Sequence, residues 1–518
     1  MFFLSCGAKT GNVPLNLILF IRFGGVIIDS IYPAVYIRTM EQEVLIGRNA
    51  EIDRLKDCLE SDKAQLVIVY GRRRVGKTFL INEFFKNNFA FKLTGSFDGD
   101  RAVQLRNFKS SLDRKTLKNN DLPKDWIMAF EMLRDYIETL PTNEKQIVFF
   151  DEMPWLDSHK SGFLPAFEWF WNDWASTQKH LVFIVCGSAT SWMDEKIANN
   201  KGGLFNRHTC SLYLKPFKLH EVKEYLEYKD IHWSLYDIVQ CYMIMGGIPY
   251  YLSLLSRGLS LSQNIDHLFF EERGALWDEF VHLYRTLFSN SESYLRVVEA
   301  LSSKTGGLTR NEIVEKIHTP SNGDLTKILN NLVLSGFVRI SGFYGNKKKD
   351  ALYQLSDYYS VFYLRYIKDN YGKDEHFWSN STENPQRRAW EGLVFEQVCK
   401  DHIAQIKHKL GISGVLSEES SWFIRGNQEE GTTGAQIDLL IKRRDRVISI
   451  CEIKFSNGEF VIDSDYDLKL RNKVGSFVRA TGCRESIQLV MITTYGVKKN
   501  KYSSLIQNEV VMSDLFHR

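Results

Sequence analysis

Residues 71–78 read Gly71-Arg72-Arg73-Arg74-Val75-Gly76-Lys77-Thr78, and this octet constrains the fold more than any other stretch of the chain. It has the form GxxxxGK[ST]. Glycines let a loop turn tightly with its backbone N–H groups pointing inward, which suits an anion carrying several oxygens. The octet follows a short apolar run, Gln65 to Tyr70, and precedes the helix-like Phe79 to Phe85. A strand, a glycine loop and a helix in that order put the positive helix end against the same anion. The pattern reads as a P-loop. Lys77 would neutralise the β- and γ-phosphates, and the Thr78 hydroxyl would ligate magnesium. ATP and Mg2+ are the expected cofactors.

Two further apolar runs fit buried parallel strands. Ile147 to Phe150 runs into Asp151-Glu152, and Leu181 to Cys186 ends at Gly187-Ser188. Strands alternating with helical stretches predict an α/β fold with a P-loop NTPase parallel-sheet core. Asp151 at a strand end can hold the metal through water, and Glu152 can polarise the attacking water. Ser188 is placed to sense the γ-phosphate.

Downstream the periodicity changes. Pro216 to Ser289 is helical, with helices expected at His220–Tyr228, Tyr236–Met245 and Phe269–Phe288, interrupted by Gly246-Gly247-Ile248-Pro249. Three helical stretches then lead into strand-like Gly336–Ile340 and Ala351–Leu355, the winged-helix pattern. Lys347, Lys348 and Lys349 fall at the expected wing tip. Asn322, Lys327 and Asn331 fall on the polar side of the third helix, where they could contact DNA. A solubilising turn on a domain that packs against the core explains the same residues. Asn370 to Pro385 is polar and aromatic without periodicity and is the linker candidate.

In the last segment, Ile437 to Ile441 and Val447 to Phe455 form an expected hairpin around the charged turn Lys442–Arg446. Residues two apart on a strand share a face, so Glu452 and Lys454 project together, and pairing can bring Asp438 beside them. Two carboxylates can hold a metal and a lysine can orient water beside a scissile phosphate. Glu-x-Lys also occurs at Glu221/Lys223 and Glu227/Lys229. Only the third copy lies in an apolar strand, where charge is costly unless paired or liganded.

Further motifs fall in a fixed order: Ile46-Gly47-Arg48-Asn49-Ala50-Glu51, the P-loop, Phe149-Phe150-Asp151-Glu152, Cys186-Gly187-Ser188-Ala189, Asn206-Arg207, Leu214-Lys215-Pro216-Phe217 and Gly246-Gly247-Ile248-Pro249. Over Gly47 to Leu364 this resembles the archaeal-type ATPases at the border of the AAA+ and STAND groups. The resemblance implies an ATPase core at 40–215, a helical lid at 216–289 and a winged-helix domain at 290–370. It also implies that Arg207 is an arginine finger or γ-phosphate sensor; a finger acting in trans requires a homo-oligomer. From Trp390 to Thr494 the chain is similar to the restriction-endonuclease-like PD-(D/E)XK superfamily, which implies a C-terminal α/β domain at 386–518. That likeness makes Glu396, Asp438 and Glu452 metal-site acids and Lys454 the catalytic lysine, with Glu391 the substitute for Glu396. Ile437 stands where many members have proline. The expected function is an ATPase coupled to a metal-dependent DNA nuclease. The alternative is a nucleotide-controlled switch or DNA-binding regulator with an inactive nuclease fold.

Bulk properties limit these readings. The net charge is +3, so any DNA-binding surface must be local. The cysteines are scattered without a CxxC pair, which fits a reducing, cytoplasmic setting. Residues 1–39 read as an extension outside the folded core, with Met40 the expected start. Arg22 divides their apolar stretch into pieces shorter than the ~20 residues needed to span a bilayer, so no membrane partner is expected.

Overall fold

The computed structural model describes residues 45–518, apart from 200–201, 205, 289, 320, 343, 346–350, 371, 425 and 427–433, together with 22–23 and 26–27. The residues before position 45 form a unit of their own. Within it, β1 (Arg22–Phe23) pairs antiparallel with β2 (Val26–Ile27). The lysines 347–349, expected at a wing tip, lie outside the described residues.

In the second unit, β3 (Gln65–Gly71), β4 (Phe91–Thr94), β5 (Gln146–Asp151), β6 (Leu181–Gly187) and β7 (Cys210–Leu214) form a sheet in the order β4-β5-β6-β3-β7. Every pairing in it is parallel. The apolar runs are buried on both faces, as parallel strands require. Val67, Val69, Phe149, Ile184 and Cys186 face one core, while Leu66, Ile68, Phe150, Phe183 and Val185 face the other. The second core is closed by the helices Arg101–Thr116, Trp126–Glu138 and Phe163–Asp173. The strand β6 lies between the P-loop strand β3 and the acid strand β5, which brings the ends of all three side by side.

The helices Leu219–Tyr228 and Leu235–Met245 follow as the periodicity predicts. The expected helix Phe269–Phe288 is broken: the chain turns at 271–278 and resumes as Glu279–Leu287. Gly274 marks the break, since a Cβ there would lie 2.7 Å from the Leu268 carbonyl.

Three helices, Ser291–Ser302, Arg310–Ile317 and Gly323–Leu334, then precede the antiparallel pair β8 (Val338–Ser341) and β9 (Leu352–Leu355). Two residues expected on the outer face of the third helix are otherwise employed. Asn331 is buried and donates to the Tyr294 hydroxyl at 2.7 Å, and Asn322 caps the helix by accepting from Leu325 N at 3.1 Å. Lys327 is exposed. The segment after β8 is held against the C-terminal sheet, where Tyr344 N donates to Ser421 O at 3.0 Å and Ser421 N donates to Gly342 O at 3.3 Å.

The segment read as a linker is packed. Trp378 is fully buried and its backbone N–H donates to Asp266 Oδ1 at 2.8 Å. Then come the long helix Pro385–Asp401, β10 (Ser417–Ile424), β11 (Ala435–Arg443), β12 (Val447–Lys454), the helix Ser464–Thr481, β13 (Ser486–Thr493) and β14 (Asn508–Val511). The strands pair in sequence order, antiparallel from β10 to β12 and parallel from β12 to β14. One hydrophobic core runs from Leu55 through the helices after β7 to Leu515. Among the described residues no helix is long and apolar enough to cross a membrane.

Candidate functional site

The strand β3 ends at Gly71, where a Cβ would approach the Leu214 carbonyl of β7 to 2.4 Å. Glycine is required there by that close contact. Gly76, at φ +87°, precedes the helix Lys77–Phe84. The buried Lys77 Nζ donates to the carbonyls of Gly71 and Arg72, both at 2.9 Å, and so folds back over its own loop. Burial lowers its pKa, opposed by Cys186, Glu152 and Asp151.

The Thr78 hydroxyl donates to Asp151 Oδ1 and Oδ2 at 3.1 and 3.0 Å. Burial pushes the Asp151 pKa up, and the Glu152 charge adds to this. A hydroxyl and a buried carboxylate are hard oxygen donors that suit Mg2+, whose charge would relieve the cost of ionising Asp151. Thr78 and Asp151 are the residues that would hold it.

Glu152 sits at φ +46°, a left-handed backbone that a non-glycine residue seldom adopts. Its carboxylate accepts from Ser188 N at 3.1 Å and from the Ser188 hydroxyl at 2.5 Å. Ser188, expected at the γ-phosphate, therefore also engages the glutamate. A serine at a strand end gives no sequence signal for that second contact, which depends on β6 lying beside β5.

Two of the loop arginines, Arg72 and Arg74, are paired with carboxylates outside the loop. Arg72 is buried, ion-pairs with Asp357 and lies 4.8 Å over the Phe337 ring. Arg74 forms a two-pronged pair with Glu279 at 3.0 and 3.1 Å and lies 4.0 Å over Tyr250. These two residues can reach a nucleotide through backbone N–H groups only. Arg73 lies between them in the loop and Val75 follows, and the Val75 carbonyl accepts from Arg48 Nη2 at 3.1 Å.

Arg207 is exposed in the turn before β7. Cys210 is level with Val67, four residues before the loop at Gly71, or about 13 Å along the strand at ~3.3 Å per residue. Arg207 lies further still, at the opposite edge of the sheet. The structure thus places it on the side of the sheet where β3 begins rather than where the loop leaves it.

In the C-terminal sheet, Leu439 pairs with Cys451 and Leu440 with Ile450, so one further step sets Asp438 opposite Glu452. Both acids are buried. Glu396, on the helix Pro385–Asp401, is close enough to be affected by Asp438. Burial first and then Asp438 raise its pKa to about 7. Asp438 is raised by burial and by Glu452. For Glu452 burial acts upward, but Lys454 and Lys473 outweigh it and hold the group low. Lys454 Nζ lies 3.0 Å from Glu452 Oε1. The Tyr466 hydroxyl donates to the same oxygen at 2.6 Å, and Lys473 pairs with the other.

Tyr466 and Lys473 come from the helix Ser464–Thr481 and were not foreseen. Their spacing of seven residues on a polar helix is the one signal the sequence offers. Among the described residues no group of three or more His, Cys, Asp and Glu side chains is arranged to hold a metal ion. Glu391, the substitute candidate, is committed elsewhere: it pairs with Arg387 at 3.0 Å and accepts from Gln240 at 2.9 Å.

A parallel sheet ending in a lysine–threonine loop, beside an Asp-Glu strand end, defines a P-loop nucleoside-triphosphatase. Comparison with known proteins agrees: residues 45–255 match the family described as an ATPase domain predominantly from Archaea. The chain carries an archaeal-type ATPase domain, and the protein is an ATPase. It is 25% identical over 418 residues to the "uncharacterized protein MJECL04" of Methanocaldococcus jannaschii, covering 80% of this chain and 88% of that protein. It is 46% identical over 44 residues to the "uncharacterized ATP-binding protein MJ0423" of the same organism, covering 8% of this chain and 75% of that protein. Among solved structures, the Walker-type ATPase PABY2304 of Pyrococcus abyssi matches with a TM-score of 0.45 at 18% identity, over 62% of this chain and 96% of that one. The ORC2 protein of Aeropyrum pernix matches with a TM-score of 0.40 at 13% identity, over 63% and 94%.

Proposed function

We propose that the ATPase binds Mg-ATP at the P-loop and that its nucleotide cycle governs a metal-dependent, nuclease-like C-terminal domain that acts on DNA. The observation that carries the nucleotide half is the Thr78–Asp151 contact beside Lys77, with Glu152 next in line. Backbone N–H groups of 71–78 would bind phosphate oxygens. Lys77 would turn from its own carbonyls to the β- and γ-phosphates, and Thr78 and Asp151 would hold Mg2+. Magnesium supplies charge neutralisation at the transferring phosphoryl group. Glu152 would take the proton of the attacking water once free of Ser188, and Ser188 would then meet the γ-phosphate. Arg207 would serve as an arginine finger for a neighbouring copy, in a homo-oligomer.

For the C-terminal half, support comes from Asp438 and Glu452 on adjacent strands with Lys454 two residues on. Asp438 and Glu452 would hold the metal, Glu396 would complete the set, and Lys454 would orient water. DNA phosphates would meet Lys327 and the lysines at 347–349. The three helices with their β8–β9 pair act as a winged helix in this reading. The setting is cytoplasmic. Plasmid cleavage with Mg2+ or Mn2+ tests it: activity present in the wild type and absent in Lys454→Ala supports the nuclease.

A second reading keeps the ATPase and makes the C-terminal domain an inactive regulator. The engagement of both Glu452 oxygens by Tyr466, Lys473 and Lys454 favours it. No cleavage in any nucleotide state, with phosphate release intact, decides for that reading.

A further inference from the structure

The P-loop and the C-terminal acids are joined by a run of side-chain contacts that neither site needs for its own geometry. The run begins at Arg72, whose carbonyl accepts from Lys77 Nζ at 2.9 Å. Its guanidinium is buried against Asp357, and its Nε and Nη2 atoms have no hydrogen-bond partner among the described residues. A buried charge held by one carboxylate tolerates little separation, because losing the partner leaves it uncompensated. The other oxygen of Asp357 accepts from Ser360 N at 2.9 Å and from the Ser360 hydroxyl at 2.5 Å. Arg72 is thereby tied to the first turn of the helix Tyr358–Phe362.

The next residue, Tyr358, donates its hydroxyl to Asp401 Oδ2 at 2.5 Å, and Arg339 of β8 pairs with Asp401 Oδ1. On the other side of Asp357, the Ser356 carbonyl accepts from Gln397 Nε2. Gln397 and Asp401 both belong to the helix Pro385–Asp401, and Gln397 adjoins Glu396. The segment 356–358 therefore touches the P-loop at one point and the Glu396 helix at two.

We propose that this segment is an allosteric linkage through which a nucleoside triphosphate at the P-loop repositions Glu396 relative to Asp438 and Glu452. The inference deepens the function proposed above and rests on its nucleotide reading. When Lys77 leaves the Arg72 carbonyl for a phosphate, the loop loses one internal restraint. A displacement of Arg72 passes to Asp357, then through Tyr358 and Ser356 to the helix. Close-packed interiors pass such shifts on rather than absorb them. The linkage is continuous with one hydrophobic core, in which Phe337, Tyr358, Phe362, Trp390 and Phe395 all take part.

Hydrogen exchange on the full chain tests this, with calorimetry of Mg-ATP on the same samples. Saturating Mg-ATP changes exchange in the helix Pro385–Asp401 by about fivefold or more, the low end of ordinary allosteric coupling. Tyr358→Phe keeps the ring and the nucleotide affinity but removes the response. Gln397→Leu, measured beside it, cuts the second contact and reduces the response even where Tyr358→Phe folds poorly. A helix that responds as fully in both variants as in the wild type overturns the linkage. So does heat of binding with no change at 385–401 in the wild type. No heat of binding in the wild type is a different result: it removes the nucleotide reading, and the linkage with it.

Discussion

Glu152 gives both carboxylate oxygens to Ser188, so the proposed general base and its neighbour can be separated by substitution. Glu152→Gln keeps Mg-ATP binding by calorimetry and lowers phosphate release by roughly 10²–10⁴-fold, the usual worth of a general base. Lys77→Ala loses the heat of binding itself. Equal phosphate release from both variants and the wild type would remove the assignment of this site. A second residue-scale prediction concerns His402. Its Nε2 accepts from Leu219 N at 3.0 Å, and its Nδ1 lies 2.8 Å from the Val398 carbonyl. The ring must therefore be neutral, with the proton on Nδ1. Burial, helped by Lys218, lowers its pKa to about 4, against ~6.5 when unfolded. The unfolded chain binds the proton more readily, so the contribution of His402 to stability is present above about pH 6.5 and is lost as pH falls through about 4. Denaturant melts across that range should show the loss in the wild type and a shallower slope in His402→Gln.

At the scale of elements, Gly246-Gly247 shows why a sequence motif and its structural reason differ in visibility. Gly246 adopts φ +61°, and a Cβ on Gly247 would lie 1.9 Å from the Phe217 carbonyl. Gly247→Ala must push Phe217 and the helix Leu235–Met245 apart. The expected cost is about 1–3 kcal/mol, the range for forcing a methyl into a packed interior, read as a lowered urea midpoint. An unchanged midpoint would mean that the turn gives way freely. Local signals of this kind were legible: the parallel strands, the glycine loop, the helix Leu235–Met245 and the β11–β12 hairpin all follow from periodicity and turn residues. What stayed hidden depends on partners far away in the chain. Nothing near Arg72 or Arg74 announces Asp357 or Glu279. Nothing near Asn331 announces Tyr294, and polar spacing alone set it on the outer face. The aromatic segment around Trp378 looked like a linker because its burial is supplied by Asp266, Arg387 and Trp390 rather than by its own pattern.

At the scale of the whole molecule, the continuity of the core determines how nucleotide binding is felt. Binding to the folded chain alone stabilises it by RT ln(1 + [L]/Kd), or about 2.7 kcal/mol at a hundredfold excess over Kd. If the ATPase domain unfolded independently, that gain would stop at its boundary. Here the helices after β7 are fixed to the C-terminal sheet domain at several points. Lys218 donates to the Asp401 carbonyl, Leu219 N to His402, and Tyr236 stacks on Phe455 at 4.9 Å and donates to Asn457 at 2.7 Å. With the shared core, these contacts predict that saturating Mg-ATP protects the C-terminal sheet as well as the P-loop domain. Pulse proteolysis in urea, with fragments assigned to either side of residue 386, separates the cases. One common midpoint, shifted upward by Mg-ATP for both sets of fragments, is the expected result. Fragments from 386–518 that appear at an unshifted midpoint would show that the C-terminal domain unfolds on its own, and that its contacts with the helices after β7 add too little to carry nucleotide stabilisation across the molecule.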